Sequence, residues 1–247
     1  MNRLIPDRYV KKPCPRQTVL ITLSSQNIYR VPKALLVLLI ATLSAWGSVS
    51  AQAAERELRV GVASHVRTLD VNEATGNNEA QFLHNIFDTL IERDNEAAPL
   101  QFKPGLATSW KMVADTTLEL TLREGVVMHD GTTMRAEDVQ YSLERVFQPK
   151  DPRFRASNGR FFYNFKAVEV VDPLTVRIHT HRPDPLIETL LSARNAGITS
   201  KQYVERVGLD AAGLKPVGSG PYKVLTLKPN EQAVLVKHEQ FWGEPPP

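Results

Sequence analysis

Residues 165–180 read FKAVEVVDPLTVRIHT, two runs rich in β-branched residues joined at Asp172-Pro173. A period of two puts alternate side chains on one face, and Asp-Pro between two such runs marks a turn, so the stretch predicts an antiparallel hairpin. The pattern recurs near the C-terminus, where PYKVLTL (221–227) and QAVLVKH (232–238) flank Lys228-Pro229-Asn230-Glu231. TTLELTL (116–122) alternates strictly and predicts a half-buried strand; ELRVGVA (57–63) predicts a buried one. A chain built on hairpins must form antiparallel sheet, which excludes a strict βαβ winding.

Helical spacing fills the gaps between these runs. EAQFLHNIFDTLIER (79–93) sets Phe82, Leu83, Ile86, Phe87 and Leu90 on one stripe, with Asn78 as the expected N-cap. AEDVQYSLERVF (136–147) places Val139, Leu143, Val146 and Phe147 at the same spacing, with two acids in its first turn to suit the helix dipole. DPLIETLLS (184–192) and SKQYVERVG (200–208) predict two short helices. The fold class is therefore α/β of the mixed, α+β kind.

The net charge of +3 and pI near 9.0 suggest an anionic partner until the chain is divided. Residues 1–53 hold seven bases (Arg3, Arg8, Lys11, Lys12, Arg16, Arg30, Lys33) against Asp7, leaving 23 bases and 26 acids in the other 194 residues. The body is mildly acidic, so a nucleic-acid partner is excluded. The basic leader ends in KALLVLLIATLSAW, an apolar run of about 13 residues, too short for the ~20 that span a bilayer. SVSAQAAERE follows and offers small residues for signal-peptidase cleavage after Ala53 or Ala54, with the translation start expected near Val31. The sole cysteine, Cys14, precedes the run, so neither a lipid anchor, a disulfide nor a thiolate site is expected after it. Export to the periplasm as a soluble monomer is the expectation.

Catalytic motifs are absent. In PVGSGPY, Ser219 directly follows Gly218, which breaks the nucleophile-elbow spacing, and Lys223 stands where a dinucleotide fingerprint needs its third glycine. His179 and His181 stand two apart and so share a face on a strand, as metal ligands or as plain polar residues; Pro183 ends that strand and no third ligand is near. His129-Asp130 reads either as an acid–base pair or as part of a turn. A hydrolase would have to rest on Ser219, His129 and His179, none with an evident partner. Binding without cofactor is favoured over catalysis.

Residues 106–147, LATSWKMVADTTLELTLREGVVMHDGTTMRAEDVQYSLERVF, closely resemble the signature of the family 5 extracellular solute-binding proteins. Leu106-Ala107, Ser109-Trp110, Leu122-Arg123, Gly125, His129-Asp130-Gly131, Ala136 to Val139 and Tyr141 to Arg145 carry the match. TLD (68–70), FDTLIERD, PVGSGPYKV and FWGEPPP extend it over residues 57–247. Met128 departs from the usual aromatic, and Arg135 stands where a hydroxyl or amide would cap the helix.

The resemblance implies a periplasmic receptor that delivers di- or oligopeptides to an inner-membrane ABC permease. Nickel, haem or another small solute is the alternative cargo, with His179, His181 and Met128 the residues to test. It implies two lobes closing on the ligand, in a periplasmic binding protein type II-like arrangement. Residues 54–115 are expected to begin lobe one, 116–210 to form a small β-rich subdomain, and 211–247 to return to lobe one. The family's chains run about twice this length, so the second lobe is expected to be absent. Weak binding by this part alone, or a non-functional truncated product, is expected to follow. Ligand contacts are expected from Thr75, Gly76, Asn77 and Asn78 after TLD, and from Arg153 and Phe154, with Arg155 beside them. Gly218, Gly220 and Tyr222 are expected to support a turn.

Overall fold

The computed structural model describes residues 58–61, 66–74, 76–148 and 159–244. The chain divides into two compact units, residues 1–58 and 59–247, and the elements below all belong to the second. The apolar leader run lies outside the described residues; among those described, no helix is long and apolar enough to cross a membrane.

The centre is a four-stranded antiparallel sheet made of β3 (Ala107–Ala114), β4 (Thr117–Leu122), β5 (Phe165–Asp172) and β6 (Thr175–Thr180), in the order β3-β4-β6-β5. The alternation read from the sequence sets its faces. Leu118, Leu120 and Leu122 of β4 and Val176 and Ile178 of β6 are buried on one side, while Thr117 and Glu119 look outward. Helix α2 (Ala136–Phe147) lies on the buried side against β5 and β6, setting Val139, Leu143 and Val146 into the core. Gln140 Nε2 donates to the carbonyl of Val168 at 2.7 Å and ties the helix to β5.

A second core is assembled from sequence-distant pieces. Val66, Leu69 and Val71 meet Leu83 and Ile86 of helix α1 (Asn77–Ile86), Phe87 just after it, and Val224 and Leu227 of the hairpin β7 (Tyr222–Lys228)–β8 (Gln232–Lys237). Short helices α3 (Ile187–Leu191), α4 (Lys201–Val207) and α5 (Leu209–Leu214) link the two cores. The hydroxyl of Ser200 caps α4 by accepting from the N–H of Tyr203 at 3.2 Å.

Three sequence expectations are corrected. The helix over 79–93 runs from Asn77 to Ile86 and stops, because Phe87 turns to extended backbone. Leu90 continues the helical stripe in sequence, but its carbonyl accepts from the N–H of Ala107 at 2.9 Å, and Ile91–Asp94 (β1) pairs with Gln101–Pro104 (β2). Strand pairing outweighs a stripe whose last turn has no further helical partners. The N-cap of α1 is Gly76, already extended at φ −76° and ψ 156°, and Asn78 lies inside the first turn. Of the expected strand 57–63, residues 58–61 are not in a strand, and Val60 is 67% exposed. Among the described residues no strand pairs with that segment.

Candidate ligand-binding face

The loop expected to meet ligand is anchored at its start. Asp70 Oδ1 accepts from the N–H groups of Asn72 at 2.9 Å and Glu73 at 3.3 Å, folding residues 70–74 into a turn. Asp70 Oδ2 accepts from Arg145 Nη2 at 2.8 Å, so the TLD and YSLER segments meet in a buried ion pair. The N–H of Leu69 donates to Gly213 at 2.8 Å, fastening the same loop to α5.

Gly76, Asn77 and Asn78 emerge from this anchor at the start of α1, where backbone N–H groups lack partners within the helix. The lack of a side chain at Gly76 serves the protein's own carboxylate. A Cβ there would collide with Glu79 Oε2, since Glu79, at the third helical position, folds back over the cap. Thr75, Arg153, Phe154 and Arg155 lie outside the described residues.

At the other end of α1, about 10 Å along the helix axis by its rise per residue, lies a groove of roughly 670 Å³ that the sequence did not indicate. His84, Glu92, Arg93, Lys103, Phe161 and Arg194 line it. Glu92 pairs with Lys103 at 3.2 Å across the rim. Burial holds the His84 imidazole below its ordinary pKa, and the Arg194 guanidinium beside it adds to the effect. Gly76–Asn78 and this groove are not brought together in one pocket.

The GSG turn closes on the C-terminal end of α1. The N–H of Gly220 donates to Ile86 at 3.0 Å, satisfying a terminal helix carbonyl, and a Cβ on Gly220 would lie 2.6 Å from the Asn85 carbonyl oxygen. Ser219 is fully buried, and its Oγ–H donates to Asp88 Oδ2 at 2.8 Å. The indole Nε1–H of Trp242 donates to the same oxygen at 2.7 Å. Burial pushes the Asp88 carboxyl up to about 6; the two donations pull it back, and nearby Glu92 adds a further push.

His129 Nδ1 accepts from the N–H of Gly218 at 3.3 Å, which leaves Nε2–H to donate to the Gly220 carbonyl at 3.0 Å. Burial lowers its pKa to about 4, so the ring is neutral near pH 7. The hydroxyl of Ser219 is thus committed to a carboxylate, and a hydrolase reading finds no nucleophile–base pair in it. His129-Asp130 forms a turn: the N–H of Gly131 donates to Met128 at 2.9 Å with φ +84°, and Asp130 Oδ1 accepts from Thr132 Oγ1 at 2.7 Å. His179 bridges Glu169 at 2.9 Å and Thr117 at 3.2 Å on neighbouring strands. Among the described residues no group of three or more His, Cys, Asp or Glu is placed to hold a metal ion.

Comparison with known proteins gives consistent matches. Residues 101–247 match the family described as bacterial extracellular solute-binding proteins, family 5 Middle. The glutathione-binding protein GsiB of Salmonella paratyphi A is 29% identical over 192 residues, which are 77% of this chain and 36% of that protein. Among solved structures, the periplasmic binding protein DppA of Helicobacter pylori, in complex with peptide STSA, matches with a TM-score of 0.64 at 26% identity. That match covers 72% of this chain and 38% of DppA. NikZ of Campylobacter jejuni, in complex with Ni(L-His), matches with a TM-score of 0.62 at 27% identity, over 76% of this chain and 36% of NikZ. The mixed α/β fold is that of a substrate-binding protein lobe, and the chain spans little more than a third of the length of these relatives.

Proposed function

Because the chain belongs to family 5 of the bacterial extracellular solute-binding proteins, we propose that it serves as the substrate-binding component of an ABC importer, with di- or oligopeptides as cargo. The observation that carries the peptide reading is the fold match to a relative crystallised with the peptide STSA. The first turn of α1 supports it, since the N–H groups that begin any helix have no partner within the helix and suit the main-chain carbonyls of an extended peptide. In this reading Gly76, Asn77 and Asn78 meet the ligand, with Thr75, Arg153 and Phe154 completing the contact. Its partner is an inner-membrane permease, its place the periplasm after cleavage near Ala53, and its working state a monomer without cofactor. The sheet with α2 forms the small β-rich subdomain between the two segments of lobe one.

A second reading, a nickel chelate or another small solute as cargo, is favoured by the match to NikZ with its bound Ni(L-His). Titration of the ¹⁵N-labelled chain with tri- and tetrapeptides, glutathione and nickel–histidine separates the two. The peptide reading expects amide shifts at Gly76, Asn77 and Asn78 with peptides alone. Shifts there with nickel–histidine and none with peptides would reverse it.

A further inference from the structure

The two oxygens of Asp70 work in different directions. Oδ1 faces its own loop and takes the N–H groups of Asn72 and Glu73. The Asp70 carbonyl adds the N–H groups of Glu73 at 3.2 Å and Ala74 at 2.9 Å, and the Asp70 N–H donates to Thr68 Oγ1 at 3.2 Å. Oδ2 faces away, to Arg145 Nη2 at 2.8 Å. Arg145 belongs to the last turn of α2, the helix that Gln140 ties to β5. Its guanidinium carbon also lies 5.5 Å from the centroid of the Tyr141 ring, one turn back on the same helix. One carboxylate therefore holds the turn closed with one oxygen and holds the turn to α2 with the other.

We propose that Arg145 is a positioning residue for ligand binding: acting through Asp70, it sets the posture in which residues 76–78 meet a solute. The inference rests on the reading that Gly76, Asn77 and Asn78 face the ligand. Bonds inside residues 70–74 decide the shape of the turn and survive wherever the turn points. Its direction comes from contacts that leave it, among them the Leu69 N–H to the α5 carbonyl of Gly213 and the Asp70–Arg145 pair. The ion pair is charge-assisted and shielded from water, with 6% and 10% of the two side chains exposed, so salt screens it little. Hydrogen-bond donors offered to a ligand weaken steeply when misaligned, so the posture of this segment bears directly on affinity.

Coupling of this kind is reciprocal: a ligand that selects one posture must be felt at Arg145. The tetrapeptide STSA, the peptide bound to the DppA relative, serves as probe on the ¹⁵N-labelled full chain. In the wild type, the Arg145 Nε–H resonance is expected to shift with the same half-saturation as the Gly76 amide. The variant D70N/R145M cuts the tie to α2, while Asn at 70 keeps an oxygen for the Asn72 and Glu73 N–H groups. In it, order parameters at Gly76, Asn77 and Asn78 are expected to fall from about 0.85 toward 0.6, with the β4 amides unchanged as the internal reference. Half-saturation with STSA is expected to rise about five-fold or more.

A pair that served stability alone would leave both readouts at wild-type values once stability is recovered. Residues 76–78 that stay rigid in the double variant, or a Gly76 amide that shifts with STSA while Arg145 stays silent, would each overturn the proposal. If STSA shifts nothing in the wild type, the peptide reading fails and the order parameters still decide the positioning. D70N alone carries the same comparison where the double variant does not fold.

Discussion

The carboxylate of Asp70 and the guanidinium of Arg145, 75 positions apart, meet at 2.8 Å with only 6% and 10% of their side chains exposed. The pair joins the loop that precedes α1 to the helix that covers the central sheet. Removing one partner leaves the other as a buried charge, so R145A is expected to lose about 3–5 kcal/mol in urea unfolding. The double variant D70N/R145M, which removes both charges and keeps an oxygen at 70 to accept from the Asn72 N–H, is expected to recover most of that loss. A single-variant loss under 1 kcal/mol would show that the pair carries little of the fold.

At Gly218 the structure tolerates no side chain. A Cβ would press on the Ile86 carbonyl and come within 2.7 Å of the Phe87 ring. G218A is expected to lower stability by more than about 2 kcal/mol, as overpacking against backbone does. Gly61, with nothing within 4 Å of its Cβ position, provides the control, and G61A is expected to stay within about 0.5 kcal/mol. Thermal denaturation of the two variants side by side checks the contrast.

Two partly buried groups give stability opposite slopes with pH. The raised pKa of Asp88, about 6, makes its contribution full below the ordinary carboxylate pKa and lost as pH rises through 6, a difference of ~3 kcal/mol. The lowered pKa of His129, about 4, makes its contribution full above the ordinary imidazole value and lost as pH falls toward 4, again ~3 kcal/mol. The native chain is therefore expected to change little from these two groups between pH 6.5 and 4. D88N keeps only the histidine slope and should become steadily less stable on acidification. Urea midpoints collected across that range decide it; parallel curves for the two proteins would rule the assignment out.

Helix α2 starts without a side-chain cap. Arg135, exposed and extended, has no acceptor to offer, and the N-terminus depends on Asp138, whose Oδ2 accepts from the Arg135 N–H at 2.8 Å. Asp138 Oδ1 also accepts from the N–H of Lys201 at 2.8 Å, so the same carboxylate opens α4. R135S supplies the missing hydroxyl and is expected to raise stability by about 0.5–1 kcal/mol. D138A, which strips both helix starts, is expected to cost more than a single cap. Calorimetric melting of the two variants tests the ranking.

Much of the fold was legible because its signals are local. Val139, Leu143 and Val146 keep one helical face, and α2 spans the expected residues. The two hairpins lie where the alternation and turn residues put them. Hairpin β1–β2 was hidden because Leu90 falls four residues after Ile86 and mimics another helical turn, while Gln101–Pro104 is too polar and short to read as a strand. Helix α5 was missed since Leu209–Leu214 is only six residues long, carries a glycine in its last turn and has no apolar stripe. For the candidate site the limit is distance along the chain. No pattern in a single sequence announces that Asp88 will take the indole of a tryptophan 154 residues on.

The second core draws on residues 66–87 and 224–235, with the whole four-stranded sheet between them. During synthesis, the apolar stripe of α1 has left the ribosome long before its covering hairpin exists. The sheet and α2, contiguous over residues 107–180, can collapse first, and the early segment must wait with Leu83, Ile86 and Phe87 uncovered. The second core therefore closes only once residues 224–235 have been made, and its early half is bare until then.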